Sequence, residues 1–324
     1  MERTASEFLR AIRGERSQVA FARRLGYRGN PITDWERGAR FPTAEEALRA
    51  AARANIGVEA AFARFSPQVP LERSGSGFAL DRWLMELKGA ASIGEVAARC
   101  QASRYSVSRW LHGQARPRLP DFMRLVDAIT GRLPHWVTAF VPIERVPSLE
   151  ERFRVAEAAR LIAFELPWTE AVLRLLETRS YAELGEHEDG FIARVLGISL
   201  EEERRCLRAL ADSNAVALAG KRYVVRGATT VDTQGGAALS HRLKRHWCEV
   251  ASDRLSVPRD SELFAYNVVS VSRADLQVIQ ERLRSAFRDI RSIVAASQPE
   301  EAAAVINLHL VTFDPRDAEQ PARD

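Results

Sequence analysis

Apolar residues recur in the same order in two stretches of the chain that lie 75 residues apart. The matched positions include a stripe at helical spacing and the glycines and proline that interrupt it. They pair Phe8 with Trp83, Leu9 with Leu84, Ile12 with Leu87, Gly14 with Gly89, Ser17 with Ser92, Ala22 with Ala97, Ile32 with Val107, Trp35 with Trp110, Gly38 with Gly113, Pro42 with Pro117 and Leu48 with Met123. Agreement at this many structural positions indicates an internal duplication.

Each copy predicts the same series of short helices. In the first copy, Ser17 is a candidate N-cap for a second helix that ends at Gly26, where a residue that tolerates positive φ is needed. A third helix follows and stops at Gly38, with Ile32 and Trp35 facing inward. Two short helices joined by a tight turn predict a helix-turn-helix in each copy.

The pattern "SQxxxAxxLG…ITDWERGxRxP" resembles the lambda-repressor-like (XRE) helix-turn-helix family over about 55 residues of each copy. Eight residues carry the resemblance in register: Gln18, Ala22, Gly26, Ile32, Trp35, Glu36, Gly38 and Pro42. The resemblance implies a five-helix bundle whose third helix enters the major groove of DNA. It also implies that Gln18 contacts a phosphate and that Glu36 pairs with a first-helix arginine such as Arg13.

The two copies differ on the face that would read DNA. The first offers Asn30 and Thr33 beside Gly29 and Asp34, whereas the second offers two arginines, a tyrosine and a serine. Because arginine grips guanine edges and phosphates, we expect the second copy to make most base contacts. The predicted DNA-binding residues are Gln18, Asn30, Thr33, Arg37, Arg40, Arg104, Tyr105, Ser108, Arg109, Arg116 and Arg118.

The framework of the second copy departs from the family pattern. Ile93 replaces Gln18, Leu111 replaces Glu36, and Gln101 replaces Gly26. The last change predicts a turn that is built differently from that of the first copy.

The sequence of the C-terminal half predicts further helices, one β-hairpin and one β-α-β element. Residues 148–168 predict one helix with a capping box at Ser148 and Glu151, and a second box is expected at Ser199 and Glu202. The stretch "ALAGKRYVV" turns at Gly220 like the wing of a winged helix. The preceding helix begins with Glu201, Glu202 and Glu203, and three carboxylates oppose contact with phosphate.

The last part of the chain predicts a β-α-β element. Residues 262–272 and 304–315 are rich in β-branched and aromatic residues, and the helix between them is capped by Ser272. From residue 146 to 315 the chain is similar to a C-terminal domain of unknown biochemical role found in predicted bacterial regulators.

Charge is distributed unevenly between the two halves. Residues 1–142 carry 22 Lys and Arg against 14 Asp and Glu, a formal net charge of +8, whereas the remaining residues carry −4. A basic first half suggests a polyanionic partner for that half. No apolar run has the length of a membrane span, the N-terminus lacks the apolar core of a secretion signal, and three scattered cysteines favour a reducing cytoplasm.

Catalytic and metal-binding patterns do not emerge from the sequence. His241, His246 and Cys248 share a predicted helix, but their spacing places them on different faces. The stretch from His187 to Asp189 is expected to be a solvated loop. We therefore predict no enzyme activity, no cofactor and no metal site.

The predicted fold class is mainly α: two tandem lambda-repressor-like five-helix HTH bundles, then an α+β C-terminal region. The domains are residues 1–65 (first XRE-type unit), 66–77 (linker), 78–142 (second unit), 146–232 (helical, winged-helix-like module), 233–315 (α+β regulatory or dimerisation module) and 316–324 (disordered tail).

The predicted function is that of a cytoplasmic, bacterial transcriptional regulator that binds double-stranded DNA. Its C-terminal half is a candidate for homodimerisation or for sensing a protein or small-molecule effector. The alternative is an antitoxin-like protein whose repeats grip a partner protein, which Asp34, Gly29 and Ile93 favour.

Overall fold

The computed structural model describes residues 1–75, 77–226 and 237–313, and this part of the chain is mainly helical. The first unit comprises α1 (Glu2–Arg13), α2 (Gln18–Arg24), α3 (Pro31–Arg37), α4 (Ala44–Arg53) and α5 (Val58–Phe65). The second unit comprises α6 (Leu80–Lys88), α7 (Ile93–Cys100), α8 (Arg104–Leu111), α9 (Leu119–Thr130) and α10 (Leu133–Thr138). Helices at matching sequence positions thus occur in the same order in both units.

Serine side chains begin several of these helices, as their position in the sequence predicts. Ser17 accepts a hydrogen bond from the Ala20 amide at 3.2 Å. Ser92 does the same for the Glu95 amide, and the Glu95 carboxylate accepts from the Ser92 amide in return. Each bond satisfies an amide that the helix itself leaves without a partner.

The two units share one hydrophobic core. Phe62 from α5 lies edge-on against Trp83 of α6, with ring centroids 4.6 Å apart, and it also contacts Trp136 and Phe140 of the second unit. Phe8 from α1 packs against Trp136 at 5.3 Å. Because these rings interdigitate across the boundary, the units form a single packed body.

Contacts between the units are reciprocal. The Ala44 amide donates to the Pro117 carbonyl, and the Leu119 amide donates to the Pro42 carbonyl, both at 3.0 Å. Leu119 is the repeat counterpart of Ala44, and Pro42 is the counterpart of Pro117, so each bond is the other one with the two units interchanged.

Aromatic contacts follow the same exchange. Phe8 packs on Phe140, while its counterpart Trp83 packs on Phe65, the counterpart of Phe140. Reciprocity of this kind is the mark of a two-fold relation, so the units are arranged like the subunits of a symmetric dimer.

The described residues of the predicted linker pack into this body. Residues 66–77 contain Val69 and Leu71, which are both buried, and the Val69 carbonyl accepts a hydrogen bond from the Trp83 indole at 3.1 Å. A short antiparallel pair follows, β1 (Arg73–Ser74) with β2 (Gly77–Phe78). The connection therefore fixes the two units relative to each other, and does not act as a flexible tether.

The C-terminal half begins with a 3-10 turn, Ile143–Arg145, and continues with short helices and one hairpin. These are α11 (Pro147–Glu165), α12 (Trp168–Leu176), α13 (Arg179–Ala182), α14 (Phe191–Leu196), α15 (Leu200–Asp212), β3 (Val216–Ala219), β4 (Arg222–Val225), α16 (Ala237–Leu255) and α17 (Arg273–Ala296). The antiparallel pairing of β3 and β4 around Gly220, which has φ 63°, confirms the predicted hairpin.

The predicted helix over 148–168 is wrong at both ends. It begins at Pro147 and ends at Glu165, with Leu166 as the C-cap residue, because Pro167 cannot continue it. Ser148 lies inside the first turn, where its amide donates to the Glu7 carboxylate of α1 at 2.9 Å. A carboxylate from the first unit thus replaces the expected capping box, and ties the C-terminal half to the repeats.

Only one of the two hydrogen bonds of the second expected capping box forms. Ser199 accepts from the Glu202 amide at 3.1 Å, but the Glu202 carboxylate turns to Arg205. Ser272 caps α17 as predicted.

A separate core lies under the hairpin. It contains Val172 of α12, Ile192 of α14 and the α15 residues Cys206 and Leu210, all fully buried. Desolvation raises the pKa of the Cys206 thiol to about 12, so that this cysteine is inert.

The predicted strands at 262–272 and 304–315 are not found among the described residues. The described residues of these ranges belong to no strand and to neither of the two sheets, and residues 314 and 315 lie outside the described residues. The expected β-α-β element therefore has its helix, α17, without a sheet. The expected disordered tail, residues 316–324, also lies outside the described part. None of the described helices combines the length and the apolar character that a membrane span requires.

Candidate nucleic-acid interface

The outer face of α8 presents a compact set of polar and cationic side chains. Val107 and Leu111 anchor the inner face in the core, which leaves Arg104 and Tyr105 exposed on the other side. The side chain of Arg104 makes no hydrogen bond or ion pair with a described residue. This helix can therefore offer a guanidinium group to an incoming anion without breaking an internal contact.

The remaining predicted residues of α8 lie beside this pair. The Arg109 guanidinium carbon is 5.5 Å from the centroid of the Tyr105 ring, a cation–π arrangement that orients both side chains. Ser108 accepts a hydrogen bond from, or donates one to, the His112 ring at 3.4 Å. Ser103 caps the helix through the Ser106 amide at 3.0 Å, so the N-terminal turn is well defined.

The corresponding face of α3 is held by an internal network. The Asn30 amide donates to the Thr33 hydroxyl, and that hydroxyl donates to the Gln18 carbonyl oxygen, each at 2.9 Å. The Gln18 amide nitrogen donates to Glu36 at 2.8 Å. The structure thus brings together three residues predicted to bind DNA, but their polar groups are hydrogen-bonded within the network. Asp34 is exposed beside them.

Glu36 is the centre of this network. Its buried carboxylate accepts from Arg13 at 2.6 Å, which confirms the expected pair. In the second unit the same position is Leu111, which is also buried, and Lys88 replaces Arg13. Lys88 donates to the carbonyls of Gly89 and Ala91 instead. A buried ion pair in one unit is therefore replaced by apolar packing in the other.

The turn of the second unit is not built differently, so the expectation for Gln101 is wrong. Gln101 adopts φ 53° and Gly26 adopts φ 86°, both in the left-handed region. The bond from the Tyr27 amide to the Ala22 carbonyl recurs as one from the Ala102 amide to the Ala97 carbonyl. Packing of the two helices imposes this backbone even though glutamine disfavours it.

The other predicted arginines divide into two pairs. Arg37 and Arg40 are exposed, and their side chains make no hydrogen bond or ion pair with a described residue. Arg116 pairs with Glu45 at 2.7 Å, and Arg118 donates to the Phe41 carbonyl at 2.9 Å. The second pair therefore joins α4 to the start of α9, at the junction between the units.

A polar cluster beneath the hairpin escaped the sequence analysis. His187 is largely buried rather than solvated, and its ring nitrogens lie near the Tyr181 hydroxyl at 3.2 Å and Glu203 at 3.6 Å. The Glu203 carboxylate accepts the amides of Gly190 and Ala193, so it caps α14 and does not face solvent. Its spacing from Leu207 and Leu210, on the buried stripe of α15, was the available signal.

The ligand atoms of His187, Asp189 and Glu203 lie within 4.8 Å of one another, close enough to hold a metal ion. Each carboxylate already has cationic or amide partners, since Asp189 pairs with Arg204. This donor set is consistent with a capping cluster that stabilises the loop before α14.

A cleft of about 1640 Å³ separates the second unit from α16 and α17. Cationic residues line both walls, among them Arg124 and Lys244, together with the carboxylate of Glu170. Burial raises the pKa of Glu170, whose carboxylate accepts a long hydrogen bond from the Trp247 indole at 3.4 Å. The cleft had no signal in the sequence because its walls come from distant segments.

Comparison with known proteins gives one family match. Residues 153–313 match the model of a family described as a domain of unknown function (DUF4423). This range lies inside the C-terminal region and excludes both repeat units. Searches of curated proteins and of solved structures found no match.

Proposed function

We propose that this protein is a sequence-specific, double-stranded-DNA-binding transcriptional regulator whose two helix-turn-helix units act as a covalent dimer. The observation that carries the proposal is the reciprocal packing of the units, since a two-fold pair of helix-turn-helix units matches the symmetry of two half-sites on DNA. The net charge of +8 on residues 1–142 makes this pair positively charged, as binding to DNA phosphates requires.

The proposal assigns unequal roles to α3 and α8. Arg104 and Arg109 of α8 have the donor geometry that guanine O6 and N7 accept, and Tyr105 is exposed next to them. On α3, Asn30, Thr33 and Gln18 are already bonded to one another. We therefore expect two different half-sites, with the guanine-containing half under α8. Arg37 and Arg40 would contact phosphates of the other half.

Packing between the units supports a fixed spacing of the half-sites. The shared aromatic core and the ordered connection leave little freedom for one unit to move relative to the other. Inserting about 5 bp between the half-sites rotates one of them to the opposite side of the duplex, because B-DNA turns once in about 10.5 bp. Such an insertion should abolish the contribution of one half-site.

The test is fluorescence anisotropy of the full chain with DNA from upstream of its gene and with a scrambled duplex, over a series of salt concentrations. We expect tighter binding to the upstream DNA and an affinity that falls steeply with salt. Arg104→Ala should weaken specific binding by about 1–3 kcal/mol and relax the preference for guanine. Arg208→Ala is the matched control, because Arg208 is equally exposed but lies on α15 in the acidic half.

Equal and weak binding to both duplexes would contradict the proposal. It would favour the second candidate function, a partner-binding protein of the antitoxin type. One observation supports that candidate: the Gln18 amide is bonded to Glu36, and Asp34 stands exposed on the α3 face. An exposed carboxylate and an occupied amide suit a protein surface better than a phosphate backbone.

A further inference from the structure

Positive charge dominates the cleft between the second unit and the helices α16 and α17. Among the described residues that line this cleft, ten carry a guanidinium or ammonium group and four carry a carboxylate. The residues after position 142 have a net charge of −4, so the wall that they contribute is positive against the average of its own half. A cleft whose walls carry one sign of charge concentrates the opposite sign inside it, and this cleft therefore attracts anions.

Three of these cations are available to a ligand. Lys244 and Arg245 lie exposed on α16, and Arg288 lies half-buried on α17. Their charged groups make no hydrogen bond or ion pair with a described residue. On the opposite wall, Arg124 already pairs with Asp121 at 2.7 Å. An anion can therefore bind to the wall formed by α16 and α17 without breaking an internal ion pair.

Apolar side chains lie among these charges. The helix α17 contributes Leu283 and Phe287, and the segment 304–310 contributes Ile306, Leu308 and Leu310. Phe287 and the three side chains of the segment are exposed. Binding sites for organic molecules combine an apolar lining with a few placed polar groups. The lining therefore suits a ligand that carries an apolar body as well as negative charge.

Direct contacts hold the walls of the cleft in place. The Ser292 hydroxyl of α17 donates to the Lys88 carbonyl at the end of α6, at 2.6 Å. Gly89 permits this approach, since a Cβ at that position would lie 2.7 Å from the Ser292 Oγ. The Asn307 side-chain amide donates to the Trp247 carbonyl at 3.0 Å, which fixes the segment 304–310 to α16. The cleft is thus bounded by elements that are bonded to one another.

The cleft also reaches the helix-turn-helix of the second unit. Arg99, Cys100 and Gln101 line it, and they form the end of α7 and the turn that leads to α8. The first turn of α8, with the exposed Arg104, follows directly. An occupant of the cleft would therefore contact the turn that positions α8.

We propose that this cleft is an effector site and that the effector is an amphiphilic organic anion. Its negatively charged head binds Lys244, Arg245 and Arg288, and its apolar body lies against Phe287 and the segment 304–310. The volume of about 1640 Å³ exceeds the roughly 300–1,000 Å³ of sites for drug-sized ligands, so it has room for an acyl chain or a nucleotide. The site does not depend on the DNA-binding proposal, but its regulatory role, a change in the DNA contacts of α8, rests on it.

The first test is a fluorescence titration of the full chain with two probes. Anilinonaphthalene sulfonate joins an aromatic body to a sulfonate, and phenylnaphthylamine is the same body without the charge. The double variant Lys244→Gln/Arg288→Gln should raise the dissociation constant of the sulfonate about tenfold or more, because charge-assisted contacts are lost, and should leave binding of the neutral probe unchanged. Arg242→Gln/Arg282→Gln is the control, since these exposed arginines lie on the same two helices but are not among the described residues that line the cleft. Equal weakening by both double variants overturns the site.

Competition against the sulfonate probe distinguishes the two sources of such a ligand. Decanoate supplies an acyl chain with a carboxylate, ATP supplies an aromatic base with phosphates, and inorganic pyrophosphate supplies charge alone. We expect displacement by decanoate or by ATP and much weaker displacement by pyrophosphate. If pyrophosphate competes as well as either of them, or if neither of them competes, the amphiphilic assignment is wrong.

Fluorescence anisotropy with the upstream duplex tests the regulatory role separately. The competing ligand should change the DNA affinity of the wild type and not that of Lys244→Gln/Arg288→Gln. An unchanged affinity of the wild type overturns the effector role. A double variant that binds DNA more weakly without any ligand also overturns it, because the cleft cations would then contact DNA. Loss of the DNA-binding proposal alone is distinguishable, since the probe would still bind in the cleft with no specific binding of DNA.

Discussion

Replacement of one aromatic side chain tests whether the two units form a single body. Phe62 of the first unit is fully buried, and all three of its aromatic partners, Trp83, Trp136 and Phe140, belong to the second unit. Phe62→Leu keeps most of the apolar area but removes three edge-to-face contacts. Each such contact contributes about 0.5–1.5 kcal/mol.

The expected loss of unfolding free energy is therefore about 2–4 kcal/mol, once partial relaxation around leucine is allowed for. This is a large share of the 5–15 kcal/mol that is typical of a domain. The assay is native-state hydrogen exchange with mass spectrometry, which follows peptides of α2 and α3 separately from those of α7 and α8. Because the core is continuous, amides of both units should lose the same amount of protection.

Leu210→Ala provides the matched control. Leu210 is equally buried but belongs to the core beneath the hairpin, so its truncation should lower protection in α14 and α15 and leave both units unchanged. The reasoning fails if Phe62→Leu lowers protection in the first unit only, because that result would mean that two independent units are joined by a tether.

Four further substitutions test other positions of the structure. Gln101→Gly should raise the unfolding free energy by about 0.5–1 kcal/mol and Gly26→Ala should lower it by about 1 kcal/mol, since both positions have positive φ; urea denaturation that gives the opposite signs would contradict this. Glu170→Gln should raise the unfolding free energy at pH 7, because burial raises the pKa of Glu170 and the wild type loses stability as pH rises through that folded pKa. Below about pH 4.5 the carboxyl is neutral in both folded and unfolded chains, so the variant should lose its advantage. A variant that is less stable than the wild type at pH 7, in unfolding curves measured at several pH values, would contradict this. Glu36→Gln should cost about 1–3 kcal/mol because the Arg13 guanidinium loses its charged partner, and a neutral effect in thermal denaturation would argue against a stabilising pair.

Acid should loosen the junction between the repeats and the C-terminal half. Burial works to raise the pKa of Glu7, but hydrogen bonds from Ser148 and Arg3 outweigh it and hold the pKa below its usual range. Stability from this group is present above the unfolded pKa and is lost as pH falls through the lower, folded value. The amide of Ser148 should therefore become unprotected in hydrogen exchange below about pH 4, and Glu7→Gln should already expose it at pH 7.

Local signals predicted the short helices well. Ser17, Ser199 and Ser272 cap the helices that they precede, and the Gly220 turn forms the expected hairpin. These features depend on residues only a few positions apart, so their physics is contained in a short window of sequence. The 75-residue repeat likewise placed both series of helices in register.

Signals that involve a distant partner were misread. Ser148 looks like a cap, but Glu7 of α1 supplies the capping carboxylate. Gln101 looks incompatible with the turn of Gly26, but helix packing imposes the same backbone. In both cases a long-range contact outweighs a local preference of about 1 kcal/mol.

By itself the sequence determined that this protein is mainly helical, that its first 142 residues contain two copies of one unit, and that the basic charge is concentrated there. Periodicity and composition are properties of the chain alone, so no folding information is needed to read them. The tertiary structure decided that the duplicated units pack reciprocally around one aromatic core, and that the expected strands at 262–272 and 304–315 do not form among the residues that the structure describes. Those outcomes depend on which surfaces meet, and a surface exists only after helices from distant parts of the chain have come together.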